Sequence, residues 1–179
     1  MAAGDLIIGL FSDFAVTSIQ FYGLVFILGS LTVASLSDVR RMAAQQDFAE
    51  VWIVFSALMI AYDFYRVAAL KLPIYSFALK WLLIFLLTYF TYFYQNSFLR
   101  LSLMDVTAIA AVNSLFTPAL IVIFIIALLL SAELLRPFLV RYGDGGAYPF
   151  LPVILSATII MFAFLLVQQT DIRFLRVEF

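Results

Sequence analysis

The sequence predicts an all-α integral membrane protein, a bundle of about six transmembrane helices forming one domain over residues 1–179. Three observations predict it. Apolar residues make up 66% of the chain and charged ones 12%, with a mean hydropathy of +1.13, which leaves too little polar surface for a soluble domain. The apolar residues gather in stretches near the roughly 20 residues that cross a hydrocarbon core ~30 Å thick. Short polar connectors separate these stretches.

The first span covers about 17–36 and stops at Ser37-Asp38-Val39-Arg40-Arg41, followed by the polar Gln45-Gln46-Asp47. The second covers about 51–68, with Arg66 and Lys71 at its exit. Pro73 opens the third, about 73–94, which ends at Gln95-Asn96. Its aromatic run from Tyr89 to Tyr94 fits an interfacial belt, and aromatic packing in lipid explains it equally well. Leu101 to Leu135 as one helix would be about 50 Å long, more than the bilayer core. Asn113-Ser114 and Thr117-Pro118 supply a break, because proline disfavours helix in the residue before it. The block therefore divides into spans of about 101–115 and 118–136, the first of them short for a crossing. A loop from Arg136 to Ala147 leads to the last span, about 148–167. The N-terminal segment carries Asp5 and Asp13 and no basic n-region, so it does not read as a cleaved signal peptide.

Loop charges orient the bundle by a thin margin. With the N-terminus outside, Arg40, Arg41, Arg100, Arg136 and Arg141 lie inside and Arg66, Lys71, Arg173 and Arg176 outside. The expected setting is a cytoplasmic membrane, with lipid as the surrounding partner. A net charge of −1 gives no basic face for nucleic acid.

The chain has no histidine and no cysteine. Ser-His-Asp triads, histidine-bearing zinc sites and thiol nucleophiles are thereby excluded. The two lysines, Lys71 and Lys80, have no GxSxG-like serine beside them. Carboxylates remain, and a carboxylate at a membrane boundary is costly and usually functional. No metal or cofactor is expected.

Parity selects a pair. Asp38 closes span one and Asp105 opens span four; two complete spans intervene, so both face the same side. Asp105 lies about 7 Å of helical rise inside its span, in the apolar context Leu103-Met104-Asp105-Val106. Asp38 also reads as a polar helix terminus balanced by Arg40 and Arg41. Asp63 falls on the opposite face, with Arg66 as an i,i+3 ion-pair partner. Asp144 sits in Gly143-Asp144-Gly145-Gly146, a turn composition. Glu133 is expected to pair with Arg136 or Arg100.

These residues resemble the archaeal preflagellin and type IV prepilin peptidases, six-span GxGD-type intramembrane aspartic proteases. Ser35-Leu36-Ser37-Asp38-Val39-Arg40-Arg41, with Glu50-Val51-Trp52 opening the next span, is similar to the family's D-x-R pattern at its first catalytic aspartate. Asp105-Val106-Thr107-Ala108-Ile109-Ala110-Ala111, running to Pro118, looks like the segment that follows its second. Ala147-Tyr148-Pro149-Phe150-Leu151-Pro152 resembles the proline-bearing start of its last span. The likeness covers nearly the whole chain as an order of elements. Two departures stand out: Ser102-Leu103-Met104 replaces Gly-x-Gly, and Met42-Ala43-Ala44 follows the first aspartate where the family has Ile-Pro. The resemblance implies catalysis by Asp38 and Asp105 and, as substrate, a pilin- or archaellin-like precursor cut near the cytoplasmic face. It implies cleavage without methylation, since the cysteine-bearing region of methylating members is missing. A presenilin-like pairing of Tyr62-Asp63 with Gly143-Asp144 fails on parity. Two other expectations remain: an inactive relative that binds pilin-like helices, and an ion- or proton-coupled transporter using Asp105 with Asp63 or Lys80.

Overall fold

Away from water, a chain this apolar must satisfy its backbone internally, and helices do so segment by segment. The computed structural model describes residues 16–41, 46–70, 74–93, 101–142 and 148–176, and its elements are α1 (Ser18–Arg41), α2 (Gln46–Leu70), α3 (Ile74–Phe93), α4 (Leu103–Asn113), α5 (Pro118–Leu139) and α6 (Leu151–Arg176). A 3₁₀ turn, Val140–Tyr142, ends α5. Five of these helices are long and apolar enough to cross a membrane, and α4 is not. The predicted all-α membrane bundle is therefore present. Its fourth element is a half-length helix of 11 residues, about 16 Å long.

Helices outrun the hydropathy pattern. α1 continues past Leu36 through Asp38 to Arg41, α2 begins at Gln46, and α6 extends to Arg176. Hydropathy marks where hydrocarbon ends, whereas a helix keeps its own hydrogen bonds on into the polar layer. Pro73, Tyr94, Gln95, Asn96, Lys71, Arg100, Asp144 and the N-terminal acids lie outside the described residues.

The short helix sits at the centre. α4 packs against α1, α2, α3 and α6, and α6 also packs against α1 and α5. Ala108 and Ala111 are buried on α4 with Val106, Ile109 and Val112. Small residues let neighbouring helices approach closely where lipid gives no hydrophobic drive. Large apolar side chains such as Phe64, Phe85 and Leu134 point outward, toward the lipid phase.

A helix that stops halfway must bury its turn. Ser114, Leu115 and Phe116 are fully buried, as required for non-helical backbone at membrane depth. Thr117 then caps α5, accepting from the Leu120 N–H at 3.5 Å, with Pro118 in the first turn. The predicted break is thus a capped restart. On α1, Gly23 makes room for the turn: a Cβ there would lie 2.8 Å from Leu115 Cδ2 and 3.1 Å from Phe55 Cζ. Gly23→Leu is expected to lose about 2–3 kcal/mol of stability by overpacking. Gly29→Leu, where a Cβ meets nothing within 4 Å, is expected to be near neutral. Unfolding midpoints of both variants in the same detergent check this.

One expected ion pair is corrected, and the Glu133–Arg136 alternative of another is not formed, its Arg100 alternative lying outside the described residues. Asp63 pairs with Lys80 of α3, Nζ to Oδ2 at 2.5 Å, and not with Arg66. The Arg66 guanidinium carbon instead lies 5.9 Å from the centre of the Tyr62 ring. Asp63 faces the interior, so it takes the cation that reaches it from another helix. Arg66 can carry its charge toward the polar layer. Glu133 and Arg136 are both exposed, and among the described residues Lys80–Asp63 is the one ion pair within 4 Å. Exposed pairs gain little, so nothing holds those two together.

Candidate active site

Asp38 owes its position to the start of α6. The residue preceding that helix is Phe150, whose side chain has no acceptor for the helix's first N–H groups. The Phe150 carbonyl accepts from Val153 N at 2.9 Å and Ile154 N at 3.2 Å. Pro152 has no N–H to satisfy. The Leu151 N–H is left, and it donates to Asp38 Oδ2 at 3.3 Å. The Phe150 N–H also acts on this carboxyl. A carboxylate from α1 thus caps α6 in trans, at the end where the helix dipole favours negative charge.

Asp105 has a local partner. Ser102 precedes α4, and both its N–H (2.8 Å) and its hydroxyl (2.7 Å) donate to Asp105 Oδ2. In return the Asp105 N–H donates to Ser102 Oγ at 3.2 Å. This is a reciprocal capping box closing the first turn of α4. Asp105 is 5% exposed.

The structure brings the two predicted site residues to the same end of the bundle. The Asp38 charge reaches Asp105, more weakly than burial and the Ser102 donors act on it. Tyr148 joins them, within electrostatic reach of Asp105, Glu133 and Arg136. Ser35 lies three residues before Asp38 on α1, and its hydroxyl is buried with no hydrogen-bond partner among the described residues. The opposite half of the bundle holds Asp63 and Lys80, as parity requires of Asp63.

Three participants escaped sequence reasoning. Ser102 had a visible signal, since Ser102-Leu103-Met104-Asp105 has the S-x-x-D spacing of a capping box; comparison with Gly-x-Gly drew attention to Met104 instead. The Leu151 N–H lies 113 residues from Asp38 and had none. Tyr148 had only its place at the start of the last span.

Two carboxyls that share a site do not readily ionise together, so one retains a proton while the other can act as a base. That is the chemical capacity of this end of the bundle. The chain matches no family model, no curated protein and no solved structure.

Proposed function

We propose that the protein is an intramembrane aspartic endopeptidase that removes the leader from type IV pilin- or archaellin-like precursors near the cytoplasmic membrane face. What supports this reading is that Asp38, in the last turns of α1, and Asp105, in the first turn of α4, stand at the same end of the bundle, with the Asp38 charge reaching Asp105. In the proposed reaction the ionised carboxyl takes a proton from a water whose oxygen attacks the scissile carbonyl. The protonated carboxyl donates to the carbonyl oxygen to give a tetrahedral diol; as it collapses, the carboxyl that took the water proton passes it to the departing amine and a diol proton returns to the other carboxyl. No metal or cofactor enters these steps. A precursor with a short basic leader before an apolar helix would present its scissile bond near a membrane face, the depth that the order of spans implies for the two aspartates.

A second reading has its own support. Both carboxyls already serve as helix caps, and Met104 stands where the resembled family has glycine. An inactive relative that binds pilin-like helices would keep both caps. The deciding experiment incubates a pilin-type precursor with membranes containing the wild-type protein, Asp38→Asn or Asp105→Asn. Cleavage by wild type that both substitutions abolish supports the protease. Cleavage that survives either substitution overturns the aspartic mechanism, and precursor capture without cleavage by wild type supports the binding reading.

A further inference from the structure

The end of α4 remote from Asp105 raises a backbone problem. A helix that stops inside a membrane bundle leaves carbonyls without partners in a region where water cannot supply them. The chain solves this residue by residue. The Ile109 carbonyl accepts from Asn113 Nδ2 at 2.9 Å, Ala110 from the Ser114 N–H at 2.9 Å, and Ala111 from Ser114 Oγ at 2.7 Å. The Val112 and Asn113 carbonyls accept from the N–H groups of Leu115 and Phe116, each at 3.1 Å. The Ser114 carbonyl takes its donor from another helix: Lys80 Nζ, at 2.6 Å.

Lys80 is 5% exposed and lies about 9 Å of rise inside α3. A cation there needs an anion, and Asp63 of α2 provides it at 2.5 Å. Trp81 Nε1 donates to the same Asp63 oxygen at 3.2 Å, which fixes the carboxylate in turn. A basic group at a helix C-terminus also complements the negative end of the dipole. The arrangement therefore ties α2 and α3 to the tip of α4. From Ser114 to Asp105 the chain is a continuous helix, about 14 Å long, so a fixed tip fixes the depth of the acid at the other end.

Resting on the aspartic-protease reading above, we infer that Lys80, with Asp63 as its counterion, is a positioning residue that sets the axial position of α4 and thereby holds Asp105 level with Asp38. An ion pair that merely joined α2 to α3 would work with its charges exchanged. This one would not, because an exchanged pair turns a carboxylate toward the Ser114 carbonyl.

The absence of cysteine makes a distance measurement clean. Spin labels at Leu36→Cys on α1 and Leu103→Cys on α4, both exposed positions, report the separation of the two site ends without any need for activity. Three backgrounds are compared by pulsed dipolar spectroscopy and, without labels, by precursor cleavage. The neutral pair Asp63→Asn/Lys80→Met carries no uncompensated charge and is expected to keep the protein folded. In it the distance distribution is expected to broaden, or its mean to move by up to about 5 Å, one helical turn, and cleavage to fall about 100-fold. The exchanged pair Asp63→Lys/Lys80→Asp is expected to show the same displacement. Lys80→Arg keeps charge and donors and is expected to retain the wild-type distance. A wild-type distance distribution in the neutral pair overturns the proposal, and so does its restoration by the exchanged pair. If the neutral pair shifts the distance while wild type cleaves no precursor, the positioning role stands and the protease reading falls.

Discussion

Asp105→Asn is expected to release no leader from a pilin-type precursor, a loss of about 10⁴-fold, while unfolding within about 1 kcal/mol of wild type. The choice of asparagine separates chemistry from capping. An asparagine oxygen can still accept from the Ser102 N–H and hydroxyl, which donate to Asp105 Oδ2 at 2.8 and 2.7 Å. It cannot take a proton from water or give one to a carbonyl oxygen. Ser102→Ala makes the opposite change. It removes both hydroxyl bonds of the capping box, costs about 1 kcal/mol, and leaves the carboxyl with its backbone donor. Cleavage by Ser102→Ala is expected to stay within about tenfold of wild type, since 1.4 kcal/mol corresponds to about one factor of ten in rate. Measuring initial rates and detergent unfolding on the same preparations tests both. Wild-type cleavage by Asp105→Asn would make Asp105 a capping residue and nothing more. Loss of cleavage in Ser102→Ala equal to that in Asp105→Asn would mean that the cap, rather than the carboxyl, supports activity.

What the sequence made legible was the topology, and the reason is physical. Crossing a bilayer imposes a length and a hydropathy, so the order of spans and the face of each charge follow from counting. That is how Asp38 and Asp105 could be placed at one end and Asp63 away from it. The break before Pro118 was legible for the same reason, because one helix through that block would outrun the hydrocarbon. Partners across helices were not legible. Arg66 is near Asp63 in sequence, yet the buried face of α2 turns Asp63 toward Lys80, 17 residues on. Asp38 looked like a terminus balanced by its own arginines, whereas its carboxyl serves the first turn of α6. Apolar pattern says which helices exist and which way they run; it carries no information about rotation, and rotation decides which polar groups meet.

The buried pair offers the largest expected effect on stability. Lys80→Met alone is expected to cost about 3–5 kcal/mol. It leaves the Asp63 carboxylate in the bundle with the Trp81 N–H, 3.2 Å away, in place of a full counter-charge, and it strips the Ser114 carbonyl of its donor. Asp63→Asn alone is expected to cost a similar amount, because the Lys80 cation would then have only neutral partners: the substituted amide oxygen, the Ser114 carbonyl and the Trp81 ring, whose centre is 5.3 Å from Nζ. Combined, the two substitutions are expected to cost far less than their sum. A neutral pair of similar volume has no charge to desolvate, and replacing a buried ion pair outright is often close to neutral. A double-mutant cycle on unfolding in mixed micelles measures the difference, with an expected coupling of about 5 kcal/mol or more, the greater part of the two single losses together. Additive losses would mean that each charge is solvated separately and that the pair holds nothing together. A strong coupling has a further consequence for the site: the neutral pair should recover stability without recovering the position of α4, because the donor to the Ser114 carbonyl is absent from both the single Lys80 variant and the double one. Stability then follows the balance of charge, and the placement of Asp105 follows one hydrogen bond.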